Sequence, residues 1–223
     1  MDDAQVAEAR EAVAAASRKL AAEGLVLGTA GNVSARVDEQ HFAISPTGAA
    51  LEELVADQVT VVDAGGNAVV GDLAPTSELG LHLGVYERYD AGGVVHTHAR
   101  IATALSCVIE ELPPVHYGML LFGGAVRVAP YATFGSPELA ARVLDALEGK
   151  TAALMANHGA IAYGASVEAA VDLSLQLEWA CSVYWHARQL GEPRVLSPEE
   201  LEDVVRTVVE RGYGSTQELE DKP

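Results

Sequence analysis

The chain has 223 residues, of which 49% are hydrophobic, so it can bury a substantial core, and we expect one domain over residues 1–223. The formal net charge of −18 at pH 7 argues against binding to nucleic acid or to anionic membrane surfaces, since both are bound chiefly through basic patches. No apolar run approaches the roughly 20 residues that span a bilayer, and the N-terminus is acidic. The two cysteines indicate no disulfide framework, so we expect a soluble, cytoplasmic protein.

The first half of the chain mixes helices with short strands. Its predicted elements are a helix at 3–23 that Gly24 stops, a turn-forming loop at 28–32, strands at 33–37 and 41–45, and a hairpin at 59–63 and 67–70. Pro75-Thr76-Ser77-Glu78 then opens a helix that runs to about residue 89. We expect Thr76 or Ser77 to cap this helix, with Glu78 in its first turn.

The second half continues the alternation. Its predicted elements are a strand at 94–98, a short helix at 101–107, a strand at 125–129, a helix at 136–147, strands at 152–156 and 160–163, a long helix at 166–190, and a last helix that Ser197 caps. Interleaved helices and strands predict an α/β fold, a three-layer α/β/α domain around a central, largely antiparallel or mixed sheet.

Two histidines share one face of a predicted strand. In the strand at 94–98, alternation points His96 and His98 to the same side, so their imidazoles can converge on one ion. His158 lies between two apolar strands and before a glycine, where a side chain can project from a sheet edge. Three histidines with one open coordination position are typical of catalytic zinc. The alternative is that the pair only hydrogen-bonds and that His158 caps a strand turn.

Glu78 is the carboxylate that could work beside such an ion. It could be a fourth ligand or a general base, or it could only cap its helix. The hydroxyls and free N–H groups at the same helix start suit a phosphate. His82 is interpreted as a hydrogen-bonded core histidine. His41, His116 and His186 have no second candidate ligand at a sequence spacing that would indicate a metal site. None of the three lysines lies within an apolar strand, which argues against Schiff-base chemistry.

Seven short motifs follow one another along almost the whole chain. They are Gly28-Thr29-Ala30-Gly31-Asn32-Val33-Ser34, Ser45-Pro46-Thr47-Gly48, Pro75-Thr76-Ser77-Glu78, His96-Thr97-His98, Tyr131-Ala132-Thr133-Phe134-Gly135, Asn157-His158-Gly159 and Gly212-Tyr213-Gly214. In this order they resemble the class II aldolase/adducin family, most closely its fuculose-phosphate aldolases. The chain departs from the family pattern at Thr76, where a serine is usual, and at Asn157, where these aldolases have a histidine.

The resemblance implies a function for each matching position. It makes His96, His98 and His158 ligands of Zn²⁺, with Mn²⁺ as the other possibility, and Glu78 an acid/base that also approaches the metal. It also implies a homotetramer in which Tyr117 reaches the active site of a neighbouring subunit, and a catalytic role for Tyr213 in the C-terminal tail. The substrate phosphate would be bound by Thr29, Asn32, Thr47, Gly48, Thr76 and Ser77.

The implied reaction is the reversible cleavage of a ketose 1-phosphate, such as L-fuculose 1-phosphate, into dihydroxyacetone phosphate and an aldehyde such as lactaldehyde. On the same scaffold, the alternatives are a pentulose-5-phosphate 4-epimerase and a methylthioribulose-1-phosphate dehydratase. From a different class, adducin-type domains keep the fold as non-catalytic interaction modules. Retention of all three histidines and Glu78 argues against an interaction module, which has no need of them.

Overall fold

The computed structural model describes residues 1–212, within which nine strands form one sheet. The strands are β1 Asn32–Arg36, β2 His41–Ile44, β3 Thr60–Asp63, β4 Ala68–Val70, β5 Gly93–Thr97, β6 Glu111–Leu112, β7 Val126–Ala129, β8 Ala152–Met155 and β9 Gly159–Gly164. The α-helices are α1 Asp3–Ala22, α2 Leu79–Arg88, α3 Arg100–Ser106, α4 Pro137–Ala146, α5 Val167–Leu190 and α6 Pro198–Arg211. Short 3-10 helices lie at Leu51–Glu53, Ala56–Gln58 and Tyr117–Phe122. Over this range, none of the helices combines the length and apolarity needed to cross a bilayer.

The sheet has the strand order β4-β3-β2-β1-β5-β9-β8-β7-β6. Neighbouring strands pair antiparallel except β7 and β8, which are parallel. The sheet is therefore mixed and largely antiparallel, as predicted. The predicted hairpin at 59–70 is confirmed as β3 and β4, with a register irregularity between Val61 and Val62.

Helices cover both faces of the sheet, which confirms the three-layer prediction. On one face, α1, α3 and α5 pack on a core that includes Val95 of the central strand β5. On the other face, α2 and α4 pack on a second core that includes Val94 of the same strand. Neighbouring residues of β5 thus serve opposite cores, because successive side chains of a strand point to opposite faces.

The starts of α4, α5 and α6 agree with the prediction, and the start of α2 differs from it. The hydroxyls of Ser136, Ser166 and Ser197 each accept a backbone N–H and cap α4, α5 and α6. The prediction that Thr76 or Ser77 caps α2 is wrong, because Glu78 occupies the N-cap position. Residues before it are held along the β2 loop: Pro75 forms a bridge with Pro46, and the Thr76 N–H donates to the Ser45 carbonyl at 3.1 Å. The helix can therefore begin only after this anchored stretch.

The apolar segment 111–122, which contains two consecutive prolines, forms regular structure at both of its ends. It contains the two-residue strand β6 and the 3-10 helix Tyr117–Phe122. Met119 and Phe122 are buried in the chain's own core, whereas Tyr117 and Leu121 remain exposed. Packing within the chain therefore accounts for part of this segment's apolar character, and two of its large side chains are left at the surface.

Candidate metal centre and substrate cavity

Three histidine side chains meet at the end of the central strands. His96 lies in β5, His98 follows directly after it, and His158 lies in the turn between β8 and β9. Because β5 and β9 are antiparallel neighbours, with Thr97 opposite Ala160, the end of β5 meets the start of β9. The ring centroids of the three histidines are 4.8, 4.8 and 5.0 Å apart. One nitrogen from each ring lies within 4.8 Å of the others, so the predicted cluster is assembled.

The carboxylate of Glu78 faces this cluster. Its Oε2 lies 3.2 Å from His96 Nε2, and its Oε1 lies 3.7 Å from His158 Nε2. The side-chain amide of Asn32 donates to Oε2 at 3.0 Å. Glu78 is buried, its side chain does not cap its own helix, and among residues 1–212 its Oε1 has no hydrogen-bond partner. A buried carboxylate oxygen without a partner is costly, which indicates that this oxygen serves something other than the fold.

The histidine geometry fits a bound cation. His96 Nδ1 lies 2.9 Å from the carbonyl oxygen of Ala160, which can only accept, so Nδ1 carries the ring proton and Nε2 presents a lone pair. That lone pair faces the carboxylate of Glu78, and two acceptors at this distance repel each other unless a cation lies near both. An imidazole whose other nitrogen is held by a carbonyl is also the usual arrangement of a metal-ligating histidine.

Protonation states support the same assignment. Burial lowers the pKa of His96 to about 4, and burial also lowers the pKa of His98, so both rings favour the neutral form that binds metals. Burial alone would raise the pKa of Glu78. At the acid pH where Glu78 titrates, His96 and His158 carry protons, and their charge together with the amide of Asn32 outweighs burial. The pKa of Glu78 therefore lies below its ordinary value, and the carboxylate is ionised at neutral pH.

A cavity of about 310 Å³ opens beside the cluster. It is lined on one side by Glu78, His98 and His158. The other walls contain every residue predicted to bind phosphate, namely Thr29, Asn32, Thr47, Gly48, Thr76 and Ser77. No lysine or arginine is among the described residues that line it. An anion held here therefore relies on hydroxyls, amides and a nearby cation.

Glycines allow the backbone to approach closely around this cavity. Gly31 has φ +90°, and a Cβ at this position would lie 2.9 Å from the carbonyl oxygen of His96. Gly48, at the tip of the loop after β2, has φ +73°. Both conformations are disfavoured for residues with side chains, so a larger residue at either position would strain its loop, and at Gly31 it would also push the loop away from the histidine cluster.

Asn32 has partners that were not predicted for it. In addition to the bond from its Nδ2 to Glu78, its Oδ1 lies 2.5 Å from His82 Nε2. The interpretation of His82 as a hydrogen-bonded core histidine is confirmed, since its side chain is fully buried and bonded at both ring nitrogens. The three remaining histidines also have partners: His41 bonds to Asp38, His116 accepts from the Gly118 N–H, and His186 bonds to Ser182.

Several residues that line the cavity were not singled out as site residues from the sequence, among them Tyr131, Phe134 and Asn157. Tyr131 and Phe134 are 60% and 67% exposed and give the rim an apolar side. Asn157 has φ +56°, a left-handed conformation that asparagine tolerates better than most residues. The only indication in the sequence that Tyr131 and Phe134 belong to the site was that two aromatic residues lie in a loop that ends at Gly135. The fold, which packs Gly135 against Ser77, is what places this loop beside the cavity.

Of the two predicted tyrosines, Tyr117 lies within the described residues, and it is not part of this cavity. Tyr117 is 44% exposed and lines a separate surface groove beside α6, with its ring 4.4 Å from that of His116. Tyr213 lies outside the described residues. Their proposed roles therefore remain predictions.

The comparisons with known proteins agree with this geometry. Residues 11–185 match the family described as "Class II Aldolase and Adducin N-terminal domain". The chain is 37% identical over 210 residues to a 5-methylthioribulose-1-phosphate/5-deoxyribulose-1-phosphate aldolase of Rhodospirillum rubrum, covering 93% of each chain. It is 39% identical over 181 residues to an L-fuculose phosphate aldolase of Escherichia coli K12, covering 80% of this chain and 83% of that one. A solved structure titled "L-fuculose 1-phosphate aldolase" superposes with a TM-score of 0.86 at 36% identity, covering 91% and 96%. The chain therefore belongs to the class II aldolase/adducin family and is a class II aldehyde-lyase.

Proposed function

We propose that the protein reversibly cleaves a ketose 1-phosphate into dihydroxyacetone phosphate and a small aldehyde. The observation that carries the proposal is that Glu78, His98 and His158 line a cavity whose other lining residues offer neutral phosphate-binding groups, with the buried His96 completing the histidine cluster beside it. The reacting carbon and the phosphate of a ketose 1-phosphate are a few bonds apart, so one cavity of this size can hold both. An interaction module would not require a buried, unpartnered carboxylate at such a place.

The metal would be held by His96, His98 and His158, with Glu78 beside it. When bound, a divalent cation supplies positive charge against the negative charge that develops on the substrate oxygens during bond cleavage. Zinc suits three imidazole ligands, and manganese is the alternative. The hydrogen bond from His96 Nδ1 to the carbonyl of Ala160 fixes the orientation of that ring.

Glu78 would transfer the proton at carbon. In the cleavage direction the hydroxyl of the aldehyde half loses its proton and becomes the carbonyl of the departing aldehyde, while the electron pair of the broken carbon–carbon bond stays with the dihydroxyacetone phosphate half. Glu78, once it has taken up a proton, gives that proton to the carbon, so one proton is lost and one is gained. In the synthetic direction the carboxylate removes the same proton. Because Oε2 accepts from Asn32, Oε1 is the oxygen available for this transfer.

The phosphate would be bound without a lysine or arginine, so a new negative charge in its pocket should weaken binding. Thr47 is exposed on its loop, and therefore Thr47→Asp should fold normally. We expect the KM for the phosphorylated substrate to rise about tenfold or more, because a like charge at contact distance costs roughly 1–4 kcal/mol. Thr47→Asn has nearly the same size without the charge and is the matched control. Steady-state kinetics with equal KM values for both variants would remove Thr47 from the phosphate site.

Tyr117 would act in the active site of a neighbouring subunit of a homotetramer, where it would contact the oxygen of the departing aldehyde. Tyr213 of the C-terminal tail would serve the same oxygen. The exposure of Tyr117 and Leu121 beside a chain-internal core supports an interface at this segment. The position of Tyr117 outside the cavity of its own chain is compatible with such a role.

Complementation tests the shared site. His96→Ala and Tyr117→Phe should each be nearly inactive, and a mixture of the two should regain activity once subunits exchange. The reason is that some interfaces then pair an intact metal site on one subunit with an intact tyrosine on the next. Mass spectrometry establishes that exchange has occurred, and unmixed samples taken through the same procedure are the control. An exchanged mixture that stays inactive, or a native protein that sediments as a monomer, contradicts the shared site.

The candidate ketose 1-phosphates share the dihydroxyacetone phosphate half and differ in the aldehyde that cleavage releases. The apolar rim formed by Tyr131 and Phe134 favours an aldehyde with an apolar end. The names of the relatives suggest three candidates, namely acetaldehyde and (methylthio)acetaldehyde, from deoxy- and methylthioribulose 1-phosphate, and lactaldehyde from fuculose 1-phosphate.

The purified enzyme, loaded with zinc or manganese, should condense dihydroxyacetone phosphate with at least one of these aldehydes. Comparison of kcat/KM values across the three aldehydes identifies the preferred one. In the cleavage direction, release of dihydroxyacetone phosphate separates an aldolase from an epimerase or a dehydratase, neither of which liberates it. A metal-loaded enzyme that forms no new carbon–carbon bond with any of the three contradicts the proposed function.

A further inference from the structure

A chain of five buried polar side chains ends on the carboxylate of Glu78. The hydroxyl of Tyr86 lies 2.9 Å from Ser34 Oγ, which lies 2.7 Å from His82 Nδ1. On the opposite edge of the imidazole, His82 Nε2 lies 2.5 Å from Asn32 Oδ1, and Asn32 Nδ2 lies 3.0 Å from Glu78 Oε2. All five residues are buried, with His82 and Ser34 fully enclosed. This series of hydrogen bonds links α2 to β1 and reaches the candidate metal centre from within the core.

The carboxylate fixes the direction of every hydrogen bond in this chain. Ionised Glu78 can only accept, so the amide of Asn32 must turn its NH₂ toward it and its oxygen toward His82. His82 Nε2 must then carry a proton, which leaves Nδ1 of the neutral ring as an acceptor from the Ser34 hydroxyl. The Ser34 oxygen in turn accepts from Tyr86. Each group therefore donates toward Glu78.

The imidazole of His82 suits this position because a neutral ring has a hydrogen-bond donor on one edge and an acceptor on the other. Burial lowers the pKa of His82 to about 3, so the ring stays uncharged and offers one donor and one acceptor. The two edges match the acceptor of Asn32 and the donor of Ser34. An apolar residue here would leave both of them unsatisfied in the core.

We infer that His82 is a positioning residue for Glu78: it locks the amide of Asn32 in the orientation that holds Oε2 and leaves Oε1 free for proton transfer. This inference rests on the proposed function, in which Glu78 moves a proton at carbon. Asn32 and His82 hold Glu78 from the side of the core. Such support matters in an active site because a small displacement of the group that transfers a proton changes the rate.

The protonated nitrogen of His82 can be observed without any assay of activity. With ¹⁵N-labelled histidine, NMR distinguishes the two ring nitrogens, and the signals missing from His82→Gln identify this residue. We expect a single tautomer with the proton on Nε2 in both the metal-free and the zinc-loaded protein. Exposed imidazoles populate both tautomers. A mixture, or a proton on Nδ1, would overturn the inference because Asn32 would then not be locked.

Kinetics test whether the lock acts on catalysis. In the zinc-loaded enzyme, His82→Leu should lower kcat by about 10- to 100-fold with little change in KM, since a displacement of about 1 Å at a reacting group has effects of this size. His82→Gln keeps a donor near the Nε2 position and should recover part of the loss. If His82→Leu does not fold, the comparison of His82→Gln with the wild type still carries the test. Equal kcat values for all folded variants would contradict the inference.

A double-mutant cycle separates positioning from general support of the fold. If His82 acts through Asn32, adding His82→Leu or His82→Gln to Asn32→Ala should cause little further loss of kcat, whereas independent effects would multiply. Tyr89→Phe is the matched control, because its hydroxyl donates to the Leu144 carbonyl on the same helix layer without joining this chain. It should lower the melting temperature and leave kcat unchanged. Multiplicative losses would assign His82 to the core alone.

The test also separates this inference from the proposed function. A wild-type enzyme that forms no carbon–carbon bond fails the proposed function, and the NMR measurement still decides the direction of the hydrogen bonds. Conversely, an active wild type with the wrong tautomer overturns the inference alone.

Discussion

Removal of the divalent ion should abolish turnover, and His96→Ala should do the same. His96 is fully buried, and its Nε2 faces the Glu78 carboxylate, so no surface group can replace it as a ligand. A catalytic metal contributes several kcal/mol to transition-state stabilisation, and we therefore expect a loss of about 10³-fold or more. Treatment with EDTA followed by gel filtration gives the metal-free enzyme, whose activity should return with zinc or manganese.

Two measurements test whether the ion is bound by His96 and which ion supports turnover. Elemental analysis should find one metal ion per wild-type chain and much less in His96→Ala, while His186→Ala, which removes an exposed histidine of α5, should retain the ion and the activity. Reconstitution with zinc, manganese and other divalent ions in parallel identifies which of them supports turnover. Full activity in thoroughly metal-free protein, or inactivation by borohydride with substrate, would exclude the metal mechanism in favour of a Schiff base.

The histidine cluster could be predicted because the geometry that brings two of its members together is local. Residues two apart on a strand share a face, so His96 and His98 had to point the same way, and only the approach of His158 depended on the fold. That approach follows from the antiparallel pairing of β5 with β9, which no single segment of sequence contains. The family motifs supplied this information in place of geometry.

The errors and omissions have physical causes in tertiary contacts. The start of α2 was placed too early, because Pro75 and Thr76 are held by the β2 loop, a contact that caps and propensities do not encode. Asn32 was assigned to the phosphate alone, since the sequence does not show that His82 and Glu78 take both ends of its side chain. A motif identifies which residue stands at a site more readily than it identifies what that residue touches.

Glu78→Gln should lower the rate by about 10²- to 10⁴-fold, the range typical of a lost general acid or base. Glutamine has nearly the same shape and can still accept the hydrogen bond from Asn32, so the fold should be retained. The carboxylate makes no capping hydrogen bond to α2, and so a helix-capping role does not predict such a loss. Glu78→Asp keeps the base but withdraws it by one methylene group, and its rate should lie between those of the wild type and Glu78→Gln.

Proton exchange isolates the step that Glu78 is proposed to perform. In deuterated water without an aldehyde, the wild-type enzyme should exchange one proton of dihydroxyacetone phosphate at the carbon that later forms the new bond, and NMR follows the loss of its signal. Glu78→Gln should bind the same ligand and one metal ion per chain yet exchange hundreds of times more slowly. If the variant keeps its metal and exchanges at the wild-type rate, another group moves the proton. Glu78 would then be a neighbour of the metal whose unpartnered Oε1 serves binding rather than chemistry.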